Sequence, residues 1–347
     1  MSDYNLKGDY ITNRFITEKN KSPFAGVGVA VVTPFDKNNK IDKEAIYKLS
    51  DQFYYQGVSY VVVQGTTGES SVLSPDEKNE VNSIFIDAFK DRLPLVLGIS
   101  SNDTRHLCDL ILKADLTGFE AIMSVCPYYN KPSQEGIFQH FKSVCDVSPL
   151  PLILYNVPGR TSVDMSNETI VRLSEYSSKI IGVKEASGDV LRIKELKEMI
   201  DREFLVISGD DFTMLEAFNN GADGIISVAG NLYANAIYDI FISIIWAHDQ
   251  EGYKKLCKQL EIDPYRILDY NDSGSLTVWD LRPELLRKLK EFTHLIFDEG
   301  NPSGIKYALQ CKNLCNEKVR LPLTSISYDL KIKIANFVKK NIYDNYW

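Results

Sequence analysis

The chain has 347 residues, 44% of them hydrophobic and 25% charged, with a formal net charge of -8. That is enough apolar material for one large core or two modest ones, as in a soluble globular protein. A net negative chain repels a phosphate backbone or an anionic membrane surface, so nucleic acid is not an expected partner, and no run approaches the roughly 18 uninterrupted apolar residues of a membrane span.

Residues 1 to 23 mix acids, bases and polar side chains without the acid-poor, Arg- and Ser-rich character of a transit peptide, and read as an added arm. From Gly26 onward a short β-branched apolar run, a polar turn and an amphipathic stretch with helical spacing recur in that order. The strand-like runs are VGVAVVTPF (27 to 35), YVVVQ (60 to 64), LPLVLGI (93 to 99), AIMSVCP (121 to 127), PLILYNV (151 to 157), IIGVK (180 to 184), FLVIS (204 to 208) and GIISVAG (224 to 230).

These runs are apolar nearly throughout rather than alternating, so both faces of each strand must be buried, as in a parallel sheet wrapped by helices. Eight such units predict an α/β fold closed into a (βα)8 TIM barrel over residues 24 to 248. A doubly wound open sheet would normally bring a Gly-rich nucleotide loop after the first strand, and VVTPFDKNNK has no glycine. Residues 249 to 347 read as a small C-terminal helical appendage, with an irregular or partly helical inserted segment near 262 to 286.

In a closed barrel, reactive groups sit where strands end. GTTGES (65 to 70) follows the second run, YYNKP (128 to 132) the fourth, and GRT (159 to 161) comes soon after the fifth, which ends in Tyr155 and Asn156. Lys184 and Glu185 end the sixth, GDD (209 to 211) follows the seventh, and Ser227 lies in the eighth. An ammonium at the end of IIGV has an apolar approach, and desolvation disfavours its charge; the neutral amine can attack a carbonyl and form an imine that acts as an electron sink. The other reading of Lys184 is a lysine paired with Asp210 or Glu185.

Tyr155 on the same rim can relay protons or simply pack its ring and bond its hydroxyl. Thr66 and Thr67 in the glycine turn can meet a carboxylate, or the turn is just a tight loop. Arg160 can hold a carboxylate bidentately or lie in solvent. His106, His140, His248 and His294 fall away from strand ends, and nothing in the spacing of carboxylates and histidines suggests a metal. Cys108, Cys126, Cys145, Cys257, Cys311 and Cys315 follow no disulfide or metal-ligand rhythm and no secretory signal precedes them, so they are expected to be reduced thiols in the cytoplasm.

Taken in order, GTTGES, PYYNKPSQEG, YNVPGRT and IGVKEASGD resemble the dihydrodipicolinate synthase and N-acetylneuraminate lyase superfamily, most closely its dihydrodipicolinate synthase branch. The resemblance covers about 24 to 262 and resumes near 286 to 340, including NPSGIKYAL. It implies a lyase without metal or organic cofactor, in which Lys184 forms an imine with pyruvate and Tyr155 and Thr66 relay protons. Tyr129 would join that relay from a neighbouring subunit, so a homo-oligomer, tetramer or dimer, is implied. Thr67 and its turn would hold the pyruvate carboxylate, Ile226 would line the pocket, and Arg160 would bind the carboxylate of L-aspartate 4-semialdehyde. The product implied is 4-hydroxy-tetrahydrodipicolinate, on the diaminopimelate route to lysine.

The rival readings are an aldolase acting on sialic acid or a keto-deoxy sugar acid, and a catalytically silent binding barrel. Polar groups in place of Arg160 would favour the first, and loss of Lys184 or Tyr155 the second. In lysine-regulated members a second pocket uses histidines and a glutamate; the matching places here look like Pro75, Lys78 and His106, with Ser71, Asn102 and Tyr128 still able to fit. Lys78 would repel an incoming ammonium, so weak or absent inhibition by lysine is expected. The arm and the 262 to 286 segment have no counterpart in shorter members, which leaves the tetramer less firmly implied than the chemistry.

Overall fold

A computed structural model describes residues 22–248, 278–340 and 342. Eight parallel strands, β1 (Gly26–Ala30), β2 (Tyr60–Val63), β3 (Leu95–Gly98), β4 (Ala121–Val125), β5 (Leu152–Asn156), β6 (Ile180–Glu185), β7 (Leu205–Ser208) and β8 (Gly224–Ser227), pair in sequence order. β8 returns to β1, with Val27 opposite Ile225 and Val29 opposite Ser227, so the sheet closes into a barrel. Six strands lie inside the expected apolar runs, while β1 begins one residue before its run and β6 ends one residue after, and nearly every strand residue is buried, as parallel strands covered by helices must be.

Closure requires glycine at the seam. A Cβ on Gly224 would stand 2.1 Å from the carbonyl oxygen of Gly26 on β1, so a side chain at 224 would force the first and last strands apart.

Between and after the strands run α1 (Lys43–Tyr55), α2 (Pro75–Phe89), α3 (Thr104–Lys113), α4 (Gln134–Val147), α5 (Asn167–Tyr176), α6 (Leu191–Met199), α7 (Met214–Asn219) and α8 (Gly230–His248). Their starts are marked by side-chain caps: Asp42, Asp103, Ser133 and Ser166 each accept a first-turn N–H, and Ser74 with Glu77 forms a reciprocal capping box at α2. Such caps place the loops, and hence the strand ends, at defined positions.

Among the described residues three further helices follow, α9 (Val278–Phe297), α10 (Ser303–Cys311) and α11 (Tyr328–Lys339). Phe292 of α9 joins α8 to α11, with its ring edge-on to Tyr233 at 4.7 Å and stacked on Phe337 at 5.5 Å. Most of the expected amino-terminal arm and residues 262 to 277 of the expected insertion lie outside the described residues. From Val278 on, the expected irregular segment is the beginning of α9.

Candidate active site

Above the carboxyl ends of the strands lies a cavity of about 420 Å³. Thr66 and Thr67 after β2, Tyr155 of β5, Arg160 after it and Lys184 of β6 all form its wall. Asp210 and Asp211 after β7, Val228 after β8, and Phe297 and Asn301 from the C-terminal helical part also line it.

β6 carries Lys184 at the end of an apolar run, and the side chain is only 5% exposed. Burial pushes its pKa down to about 8, with Asp211 pulling it up and Arg160 adding to the fall. Among the described residues no carboxylate pairs with it. Glu185 instead accepts from Asn156 Nδ2 (3.0 Å) and the Ser187 N–H (2.6 Å), and lies 3.6 Å from Arg192. Asp210 accepts from the Phe212 N–H (3.0 Å) and the Thr213 hydroxyl (3.2 Å). Asp211 accepts from the Ser227 hydroxyl and from the N–H groups of Val228 (2.9 Å) and Ala229 (3.2 Å). Among the described residues no ion pair joins Lys184 to Asp210 or Glu185, and Asp211 acts on it only through its field.

What Lys184 does face is Tyr155. The two residues are opposite each other in the β5–β6 ladder, and Lys184 Nζ lies 4.3 Å from the centre of the Tyr155 ring. Burial pushes the phenol up to about 12, with Arg160 acting in the opposite direction, so it stays protonated at neutral pH and can give and retrieve a proton. Gly209 leaves room for the lysine stem: a Cβ there would stand 2.8 Å from Lys184 Cε and 3.0 Å from Cγ.

After β2 the chain turns twice in succession, with Gly68 N–H donating to the Gly65 carbonyl and Glu69 N–H to that of Thr66, both at 3.0 Å. Thr33 ties the turn down by donating to the Gly68 carbonyl at 2.6 Å, and Asn301 Nδ2 donates to Thr67 Oγ1 at 2.9 Å. Among the described residues the backbone N–H groups of Thr66 and Thr67 have no protein partner, and successive free N–H groups in a turn suit an anionic oxygen. Across the opening, a one-turn helix Pro158–Thr161 begins with proline and presents Arg160, which is exposed and, among the described residues, paired with no carboxylate. One buried amine, one phenol, one anion-accepting turn and one free guanidinium thus share a single cavity.

The family model for the dihydrodipicolinate synthetase family matches residues 23–261. The chain belongs to that family. The 4-hydroxy-tetrahydrodipicolinate synthase of Flavobacterium psychrophilum is 40% identical over 317 residues, 91% of this chain and 98% of that protein. The enzyme of the same name from Cytophaga hutchinsonii is 38% identical over 90% of this chain and 94% of its own length. Among solved structures, the chloride-inhibited dihydrodipicolinate synthase of Acinetobacter baumannii, complexed with pyruvate, superposes with a TM-score of 0.77 at 36% identity, covering 91% of this chain and 98% of that one.

Within this family member the fold gathers Lys184, Tyr155, Thr66, Thr67 and Arg160 around one cavity. Two residues singled out in the sequence are not on its wall. Tyr129 is 88% exposed, with φ of 73° in the left-handed region, so within one chain its ring points at solvent. Ile226 is buried in β8, and Val228, two residues further on, lies on the cavity wall. Among the histidines, His140 is buried in α4 beside Thr104 and His294 lies against Phe212, neither on the cavity wall.

Sequence reasoning gave no role to Asp211, Asn301 or Phe297. The doubled acid after β7 is a signal for Asp211, since two neighbouring carboxylates at a strand end are costly unless one is hydrogen-bonded. For Asn301 and Phe297 the barrel pattern holds no signal, because both come from beyond the eighth unit.

Proposed function

We propose that this protein is a 4-hydroxy-tetrahydrodipicolinate synthase that condenses pyruvate with L-aspartate 4-semialdehyde through an imine on Lys184. The observation that carries the proposal is a buried lysine, without an ion-pair partner among the described residues, whose amine is pushed down to about 8 beside a protonated phenol. The neutral amine adds to C2 of pyruvate, and the carbinolamine loses water with Tyr155 and Thr66 shuttling the proton. The imine draws electrons from the adjacent methyl, a proton leaves, and an enamine forms. Its carbon attacks the aldehyde, whose oxygen takes a proton to become the hydroxyl of the product. The amino group of the bound semialdehyde then adds to the imine carbon and expels Lys184, closing the ring and restoring the free amine.

Recognition divides between the two sides of the cavity. The free N–H groups of Thr66 and Thr67 suit the pyruvate carboxylate, and the unpaired Arg160 suits the carboxylate of the semialdehyde. The exposed Tyr129 is available to a neighbouring copy of the chain, which supports a homo-oligomer whose subunits complete one another's proton relay. Among the described residues no helix is long and apolar enough to cross a membrane, and we place the reaction in the cytoplasm.

The test is borohydride reduction in the presence of pyruvate, followed by peptide mapping, beside an assay of condensation with the semialdehyde. A reduced adduct on Lys184 with turnover supports the proposal. Absence of an adduct overturns the mechanism, and an adduct without turnover overturns the assignment of the second substrate.

A further inference from the structure

The C-terminal part of the chain reaches back to the barrel through two bases, Lys306 and Arg320, which meet two acids, Glu69 and Glu77. Glu69, the last residue of the GTTGE turn, is completely buried, and its Oε1 accepts from Lys306 Nζ of α10 at 2.5 Å. Lys306, equally buried, also donates to the Lys318 carbonyl at 2.8 Å and stands 4.2 Å over the ring of Phe35. The other carboxylate oxygen of Glu69 accepts the Arg320 N–H at 2.9 Å, and the Arg320 guanidinium lies over the same Phe35 ring at 4.2 Å while gripping both oxygens of Glu77. Two acids and two bases balance, and every oxygen of Glu69 is used.

The position of Glu69 in the turn gives this cluster its interest. Its backbone is left-handed, φ 53°, a conformation that a non-glycine residue adopts only when its surroundings hold it there. Its N–H closes the turn onto the Thr66 carbonyl, and Asn301, just before α10, holds the Thr67 hydroxyl. The same C-terminal segment therefore grips both ends of the Thr66–Thr67 step. No cluster residue other than Asn301 lies on the cavity wall, so Glu69 and Lys306 can act on the reaction only through the turn.

We propose that Glu69 and Lys306 are positioning residues: their buried ion pair sets the Thr66–Thr67 turn for the pyruvate carboxylate, making α10 part of the pyruvate subsite. This rests on the reading of the site given above. A buried pair with only a structural role can often be replaced by uncharged groups at little cost, whereas removing one partner strands the other charge. The decisive protein is accordingly the full-length double variant Glu69→Gln with Lys306→Met, with Lys306→Met alone beside it.

Steady-state kinetics and the pyruvate dependence of borohydride trapping are measured together on folded protein, with folding checked by circular dichroism and thermal melting. The double variant is expected to melt close to the parent yet to need about tenfold more pyruvate for half-maximal rate and half-maximal trapping, with KM for the semialdehyde unchanged because Arg160 is untouched. Lys306→Met alone should show the same pyruvate defect together with a lower melting temperature. A double variant with parental pyruvate dependence overturns the proposal, as does one whose rate falls only in proportion to its folded fraction with both KM values unchanged. If the parent itself gives no adduct, the reading of the site has failed and the proposal falls with it; a parental adduct beside a normal variant defeats the positioning role alone.

Discussion

Tyr155 and Lys184 occupy directly opposed positions in the β5–β6 ladder, so the hydrogen-bonded register of two strands, not a loop, sets the 4.3 Å separation of amine and phenol ring. Asn156 and Glu185, the next pair up, reinforce it with a side-chain bond of 3.0 Å. Groups held by strands keep their geometry better than groups held by loops.

Replacing Lys184 by Arg keeps a cation of similar reach but one that is always protonated and cannot form the imine. Turnover should fall by about a thousandfold or more, with the adduct lost from the mass spectrum. The far-ultraviolet circular dichroism should be unchanged.

The amine titrates near 8 in the folded protein, down from 10.5. The rate at low pyruvate should therefore rise with pH through about 8 as the neutral amine accumulates, and should not fall again through the phenol below about 10, because Tyr155 is pushed up to about 12. A pH profile of kcat/KM for pyruvate checks this. A profile flat between 6 and 9 would contradict it.

The same depression costs stability at neutral pH. The unfolded chain binds a proton that the folded one does not between about 8 and 10.5, so stability rises with pH across that window and the penalty is complete below it. Lys184→Met should consequently be more stable than the parent at pH 7, by up to about 3 kcal/mol. Urea unfolding at pH 7 and pH 10 measures it, with the difference between the proteins shrinking at the higher pH.

Tyr155→Phe should lower kcat by about a hundredfold with little change in either KM, whereas Arg160→Ala should act mainly on the KM for the semialdehyde. Steady-state kinetics with each substrate varied in turn separates the two. Equal effects of Arg160→Ala on both substrates would show that the guanidinium does not discriminate between them.

If Lys78 occupies the regulatory position that the family resemblance implies, its like charge should oppose an incoming ammonium, and lysine should inhibit weakly or not at all, with no half-inhibition below about a millimolar. Titrating lysine into the condensation assay decides it. Lys78→Glu should then increase sensitivity if that charge is the obstacle.

The eight strands could be read from the sequence because burial on both faces demands uninterrupted apolar runs, and part of the rim followed because some polar residues at the ends of such runs face the cavity, whereas Asn156 and Glu185 bond to each other instead. Lys184, Tyr155 and Arg160 were legible for that reason. Ile226, expected to line the pocket, is buried in β8 while Val228 is on the wall, since apolar content cannot say how deep along β8 the packed interior stops and the cavity begins. Asn301 and the Glu69–Lys306 pair were hidden for a different reason. They depend on where α10 docks, and no periodicity within either segment encodes that meeting of distant parts of the chain.

Lys184 and Arg160 share one cavity wall with Asp210 and Asp211, and among the described residues neither base is ion-paired, within a chain of net charge -8. Pyruvate is an anion and must cross the chain's overall negative field to reach these two bases, whereas the semialdehyde, a carboxylate beside an ammonium, feels little of that field. Charges farther away than the screening length of about 8 Å at physiological ionic strength fade, while those inside the mouth persist. Added salt should thus weaken the barrier before it weakens the trap, making the capture of small anions least sensitive to ionic strength near that of a cell.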